Sequence, residues 1–226
     1  MILSIILPCY KFDSEVCSCI SKISCILKNC HYELIIICTE EYYLKFTQKY
    51  PSIIVIKESS NGIYSAMNDG VKVATGDYFY FIGKDDMITE DFIFAYNYIK
   101  EYIPMVLSCD VLYRNLGVYS GYPSKFKLLY KNLCHQGLLY HKNCFLDNGL
   151  YLKSFKVQAD HFLNIKLFWH NKADIHHLKK RICVYSNSGF STTTPDIVFN
   201  RVYPLVLKKY VGYWAYILII FYRLLR

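Results

Sequence analysis

The chain has 226 residues, 54% of them hydrophobic and 19% charged, which suits one sizeable core and excludes a disordered or polyelectrolyte protein. Its net charge of +8 is uneven: residues 1–124 carry 10 Lys/Arg against 14 Asp/Glu, whereas residues 125–226 carry 16 against 4. Net charge alone does not choose among nucleic acid, an anionic lipid surface and a phosphorylated ligand, but there is no basic–aromatic cluster of the kind that stacks single-stranded bases and no nucleic-acid recognition motif, so no nucleic-acid partner is expected.

The opening "MILSIILPCY" lacks a basic stretch before its apolar run, which stops at Pro8, so it reads as a first strand instead of a secretory signal. A reducing, cytoplasmic compartment is expected, with the ten cysteines as structural thiols; the Cys17/Cys19 pair lacks the second pair or spaced His of a zinc site. Residues 2–7, 33–38 and 52–56 are continuous apolar runs, the pattern of strands covered on both faces. Helical spacing fills 13–29, with Asp13 and Ser14 as cap candidates, and 40–50, which stops before Pro51. The alternation predicts a mostly parallel sheet with crossover helices. A helix over 62–74 carries an apolar face with Ile63, Ala66, Met67 and Val71, and a second face with Ser65, Asn68 and Lys72. After a turn at 75–77 the strand 78–82 ends in Asp85 and Asp86, at the carboxyl edge where open parallel sheets collect ligands. Further on, the spacing predicts a helix over 89–103, a strand over 105–114, a basic Tyr-rich loop over 115–135, a helix from about 158 to 170 and strand-like residues near 173–185. Residues 186–196 form a polar, turn-rich stretch.

Adjacent carboxylates are commonly solvated turn residues or caps. These two follow a buried run, however, and a hard divalent cation takes a few carboxylate oxygens while sharing its other positions with water and phosphates. Lys84 either balances Asp85 or reaches a phosphate oxygen.

The stretch "NGIYSAMNDGVKVATGDYFYFIGKDD" (61–86) resembles the nucleotide-sugar-binding half of glycosyltransferase family 2, in the subgroup associated with bacterial colanic acid, capsule and O-antigen synthesis. "LSIILPCY" (3–10), "CHQGLLYHKNCF" (134–145) and "VQADHFLNIKLF" (157–168) match the family's other motifs in order and spacing, so the resemblance covers about 1–190. It implies a GT-A fold, a divalent Mn²⁺ or Mg²⁺ ion, and inverting transfer of a sugar from a nucleoside diphosphate, uridine being the expected base, to an acceptor hydroxyl. Carried over, Asp86 is the metal-binding carboxylate with Asp85 beside it. Asp160 is the general base, against the plainer role of an acidic residue in a first helical turn. Pro8 and Tyr10 belong to the nucleotide loop, Gly62, Asn68 and Lys84 to the donor contacts, and His135 and Gln136 to the diphosphate or acceptor side; a buried His bonded to a carbonyl, and helix capping by Gly62 and Asn68, are the structural alternatives.

The chain departs from the family where relatives contact the base: Cys38 stands at the end of the second strand in place of Asp, and "SSNG" (59–62) offers Ser60 in place of a second acid. Thr39, Glu40 and Ser60 are the remaining candidates there. At the end of the chain, 205–226 has too short an uncharged run to span a bilayer. Drawn as one helix, it gathers Lys208, Lys209, Arg223 and Arg226 on one side with Trp214, Ile217, Leu218 and Phe221 buried in an interface; packing on the domain or a second subunit is the alternative. The expected organisation is an α/β GT-A domain over 1–195, with a nucleotide-sugar part to about 114 and an acceptor part over 115–195, then a helical segment over 196–226. The expected protein is a peripheral enzyme on the cytoplasmic face of the inner membrane, acting on a polyprenyl-diphosphate-linked acceptor, homo-oligomeric assembly remaining open. A nucleotide-sugar binder of the same fold without turnover is the alternative function.

Overall fold

The computed structural model describes residues 1–186 and 194–224. Strands β1 (Leu3–Cys9), β2 (Tyr32–Cys38), β3 (Ile54–Lys57) and β4 (Tyr78–Phe81) alternate with helices α1 (Ser14–Ile26), α2 (Glu40–Lys49) and α3 (Ile63–Val73). They lie parallel in the order β3-β2-β1-β4. After β5 (Met87–Ile88) and α4 (Phe92–Tyr102), strands β6 (Val106–Tyr113), β7 (Gly117–Tyr119), β8 (Leu138–His141) and β9 (Ile175–Tyr185) extend the sheet. Its order continues β4-β8-β6-β9-β5, with β8 antiparallel to both β4 and β6, and β7 paired to β6. This is the mostly parallel α/β architecture expected from the sequence.

The continuous apolar strands serve two cores, because alternate side chains leave opposite faces of the sheet. Leu3, Ile5 and Leu7 of β1, with Tyr78 and Tyr80 of β4, pack beside α1 and α4; Ile6, Phe79 and Phe81 pack against residues of α3 and of the carboxyl-terminal helices. β3 is the exception. It is the sheet edge, and Ile54 is exposed where two-sided burial was expected.

Pro8 shows how the sheet opens toward a site. Ile82 N donates to Ile6 O, so the even residues of β1 turn their polar groups to β4, and the β1–β4 pairing ends at Ile6 and Phe81. Pro8 is the next residue on that side, and its missing N–H costs no ladder bond because β4 has already left.

Beyond β8 come α5 (Asn143–Leu146), then α6 (Ala159–Ile165), which widens into a π turn over Lys166–His170. The carboxyl-terminal helical segment is two helices, so 205–226 is not the one helix it was drawn as: α7 (Ile197–Tyr210) and α8 (Tyr213–Leu224). Gly212 at φ +133° breaks the run, a backbone that residues with a Cβ rarely adopt. Asp196 caps α7 by accepting from Phe199 N and also accepts from the Val157 and Gln158 amides at the start of α6. Phe199, Tyr203, Val206 and Leu207 are buried in the same core as α6. Lys208 lies over the Tyr213 and Tyr216 rings; the Arg223 side chain and Arg226, two members of the basic arc drawn for one helix, lie outside the described residues, as does most of the polar stretch 186–196.

Candidate active site

Asp85 and Asp86 follow the last residues of β4, where Gly83 permits a tight return: Asp86 N donates to Gly83 O at 3.2 Å, and a Cβ on Gly83 would stand 2.9 Å from Asp85 Oδ1 and 3.0 Å from Asp86 Oδ2. Asp86 is 1% exposed. Its Oδ2 accepts from Gln136 Nε2 at 2.9 Å and its Oδ1 from the Ser186 backbone N–H at 3.0 Å. Ser186 Oγ donates to Asp85 Oδ2 at 2.6 Å. Burial, opposed by the Ser186 amide and reinforced by the Asp85 charge, pushes the Asp86 carboxyl up to about 7. No Lys or Arg pairs with either carboxylate among the described residues.

Lys84 does not balance Asp85. Its ammonium is held by Asp13, the N-cap of α1, and by Glu15 at 2.7 Å. Although burial acts to lower it, these two carboxylates keep it above the ordinary lysine range.

Asp160, in the first turn of α6, is 7% exposed and fully engaged: Tyr64 Oη donates to Oδ1 at 2.6 Å and Asn132 Nδ2 to Oδ2 at 2.7 Å. Asn164 Nδ2 braces Asn132 Oδ1 at 2.9 Å, and Tyr140 donates to Asn164 Oδ1. Such a two-sided clamp is more than a macrodipole role requires.

Residues 132–136 join the two acidic centres. Asn132 bonds Asp160, Gln136 bonds Asp86, and Cys134 between them feels the charges of both carboxylates. Cys134 Sγ also donates to Gln136 Oε1 at 3.3 Å, fixing which end of the amide faces Asp86. His135 stacks on Phe81, with Nε2 2.9 Å from the Tyr151 hydroxyl; burial lowers it below the ordinary histidine value, partly offset by Asp160, so the imidazole is neutral near pH 7.

The base-proximal candidates sit at the carboxyl ends of β1, β2 and β3. Tyr10 is half-exposed, with its hydroxyl near the Gly62 backbone; burial and the Glu58 charge raise it. Gly62 precedes α3 at φ +118°. Thr39 precedes α2, and its Oγ1 is buried with no hydrogen-bond partner among the described residues. Ser60 is bonded to Ser65 Oγ at 2.6 Å and approached by Lys153.

Asn68 is built into the fold instead. Its Nδ2 donates to Tyr151 O and its Oδ1 accepts from Tyr151 N, both at 2.9 Å, so the amide is consumed in clamping one backbone unit. Of the second face of α3, Ser65 and Asn68 are buried, whereas Lys72 is exposed and pairs with Asp69 at 2.9 Å.

Tyr64, Asn132 and Ser186 escape a reading of the sequence. Tyr64 lies inside the 61–86 motif, whose spacing carried a signal; Asn132 and Ser186 sit in polar loops that carry none.

The family model for glycosyl transferase family 2 matches residues 4–102. Glycosyltransferases of PGL/p-HBAD biosynthesis from Mycobacterium bovis and Mycobacterium tuberculosis are 31% identical over 159 residues, 68% of this chain and 62% of theirs. The chain belongs to glycosyltransferase family 2. This family 2 chain thus spans less than two thirds of those relatives. In fold it is similar to Staphylococcus aureus TarS solved with UDP, at a TM-score of 0.69 and 20% identity over 93% of this chain and 66% of that one. A Pyrobaculum calidifontis mannosyltransferase in complex with GDP-Man and Mn²⁺ superposes at a TM-score of 0.61 and 10% identity, over 92% of this chain and 61% of that one. The family 2 chain therefore has a GT-A fold.

The donor set at Asp85 and Asp86 fits a hard divalent ion. It offers carboxylate oxygens at a buried point that lacks a basic partner, and no group of three or more His, Cys, Asp or Glu is assembled among the described residues. A cation held by one or two carboxylates, with diphosphate and water filling its other positions, matches that supply.

Proposed function

We propose that this chain transfers a sugar, with inversion and with divalent-metal dependence, from a uridine diphosphate sugar to a hydroxyl of a lipid-linked saccharide in bacterial surface polysaccharide synthesis. The observation that carries the reading is the bridge of residues 132–136 between a buried carboxylate suited to a cation and a buried carboxylate suited to a base. Asp86 and Asp85 hold Mn²⁺ or Mg²⁺, which supplies Lewis-acid stabilisation of charge on the departing diphosphate. Asp160 takes the proton of the acceptor hydroxyl as that oxygen forms its bond to the anomeric carbon and the bond to the diphosphate breaks. Tyr64 and Asn132 orient Asp160; Gln136 and Ser186 orient the acidic pair.

Uridine is favoured because TarS, similar in fold, is solved with UDP and with UDP-GlcNAc. On this reading Thr39 takes over a base contact, since a buried hydroxyl without a partner among the described residues is a group still to be satisfied. Thr39→Val is then expected to leave the melting temperature unchanged or slightly higher while weakening UDP binding by about two- to tenfold. Calorimetric titration with UDP checks it; unaltered affinity removes Thr39 from the donor site.

A peripheral position on the membrane is supported by α8, where Trp214, Ile217, Leu218 and Phe221 are 44–61% exposed and Lys208 and Lys209 close the preceding helix. No helix among the described residues is long and apolar enough to cross a membrane. The direct test incubates the protein with bacterial membranes, Mn²⁺ and a panel of nucleotide sugars, and weighs the extracted lipids. A mass gain of one sugar in the lipid fraction is expected. Donor binding with no product across the panel would instead favour a binding protein of this fold.

A further inference from the structure

Tyr119 of β7 is covered on one face by Tyr113, with ring centroids 5.2 Å apart and planes within 9°. Two ammonium groups approach the same ring, Lys127 Nζ at 4.5 Å and Lys131 Nζ at 5.0 Å from its centroid. Both cations thus gather within 5.0 Å of the centre of a ring that Tyr113 already stacks against. The local backbone arranges this: residues 127–129 form a 3₁₀ turn and Lys131 N donates to Lys127 O at 2.8 Å, so the side chains four residues apart leave the same side.

The pair is electrostatically uncompensated. No carboxylate pairs with either lysine among the described residues, and the polar contact of Lys127 Nζ is the Ser120 carbonyl at 3.4 Å. Burial and the Lys131 charge hold Lys127 below the ordinary lysine range. Two like charges gathered on one ring are stabilised when an anion joins them.

The position indicates whose anion it is. Tyr119 Oη donates to Asn132 O at 2.8 Å, and Asn132 Nδ2 holds Asp160 Oδ2 at 2.7 Å, so two hydrogen bonds separate the lysine pair from the residue assigned as base. The donor's diphosphate belongs at Asp85 and Asp86, which are met by Gln136 at the other end of residues 132–136. We propose that Lys127 and Lys131, gathered over the Tyr119 ring, form a second anion site that binds the diphosphate of the acceptor and thereby presents its hydroxyl to Asp160. The inference rests on the glycosyltransferase reading and adds to it how a phosphorylated acceptor is recognised.

Inorganic pyrophosphate is the probe, titrated calorimetrically into the full chain with UDP and Mn²⁺ saturating so that the donor site is filled. Binding is expected to persist in the wild type and to weaken about tenfold or more in Lys127→Ala/Lys131→Ala, with the exposed Lys131→Ala alone giving an intermediate loss if the double variant melts early. A second arm compares sedimentation with phosphatidylcholine vesicles carrying undecaprenyl diphosphate or, at equal charge, phosphatidylglycerol. The double variant is expected to lose the former and keep the latter. Unchanged pyrophosphate affinity in the variants, complete displacement of pyrophosphate by UDP, or equal loss of both vesicle types would each overturn the site. Wild-type protein that binds pyrophosphate but neither UDP nor any nucleotide sugar would instead contradict the glycosyltransferase reading and leave the anion site standing.

Discussion

Asp86→Asn is expected to abolish metal-dependent turnover, by a hundredfold or more on the order of magnitude of losing an electrostatic group at the reacting centre, while making the metal-free protein more stable at pH 8. The reason is the cost of the buried carboxylate. Its carboxyl sits at about 7 in the folded protein against an ordinary value of 3.8, chiefly through burial. A carboxyl raised on folding imposes no penalty below pH 4 and removes stability as pH rises from about 4 through 7, by roughly 4 kcal/mol once fully ionised. The amide in the variant escapes that penalty but presents an N–H to one of the two donors, Gln136 Nε2 or Ser186 N, a loss of about 1–3 kcal/mol. The stability–pH curves of the two proteins should therefore cross, with the variant above wild type at pH 8 and below it near pH 4. Mn²⁺ should raise the melting temperature of wild type at pH 8, much less at pH 5, and not that of the variant. Chemical denaturation across this range checks the first expectation and thermal shift the second. Parallel curves, or near-normal turnover by the variant at saturating donor and metal, would remove Asp86 from the metal site.

Asp160→Asn should lower kcat by about 10²- to 10⁴-fold with donor affinity unchanged, the range for loss of a general base. Both oxygens of Asp160 accept hydrogen bonds, so the amide must turn its N–H toward Tyr64 or Asn132 and will destabilise the protein by about 1–3 kcal/mol. A carboxylate serving only the dipole of α6 predicts a different outcome, a stability loss of about 0.3–1 kcal/mol with turnover retained. Single-turnover measurement with bound donor separates the two, because it reads the chemical step without donor association. A variant that keeps its transfer rate refutes the assignment even if it melts earlier.

The parts of this protein legible from its sequence are those encoded in neighbouring residues. Continuous apolar runs told that β1 and β2 are covered on both faces, since a strand feeding two cores has no polar side to alternate, although the same pattern misread the edge strand β3. Helical spacing with Asp13, Pro51 and Gly62 at the boundaries was enough to predict β1 to β4 and the helices between them. The 61–86 motif carried the family. Asp85 and Asp86 were visible for the same reason, as two acids at the end of a buried strand.

Local patterns failed where a residue's partner is far along the chain. Asn68 has the spacing of a polar helix face, yet it clamps Tyr151, 83 residues away. Lys84, beside the acidic pair in sequence, turns to Asp13, 71 residues away. One Gly at positive φ split the expected terminal helix.

By itself, then, the sequence determined the strands and helices from β1 to β4, the family and the positions of its acidic residues, because periodicity and motif spacing act over a few turns of backbone; β7, β8 and α5 fall where no element was expected. Tertiary structure alone decided that Ser186, 100 residues from Asp86, completes the acidic pair, that Asn132 and Tyr64 clamp Asp160, and that Lys127 and Lys131 share one ring. Hydrogen bonds and ring contacts form at distances of a few ångströms in space, and only the folded sheet brings those loops within that reach.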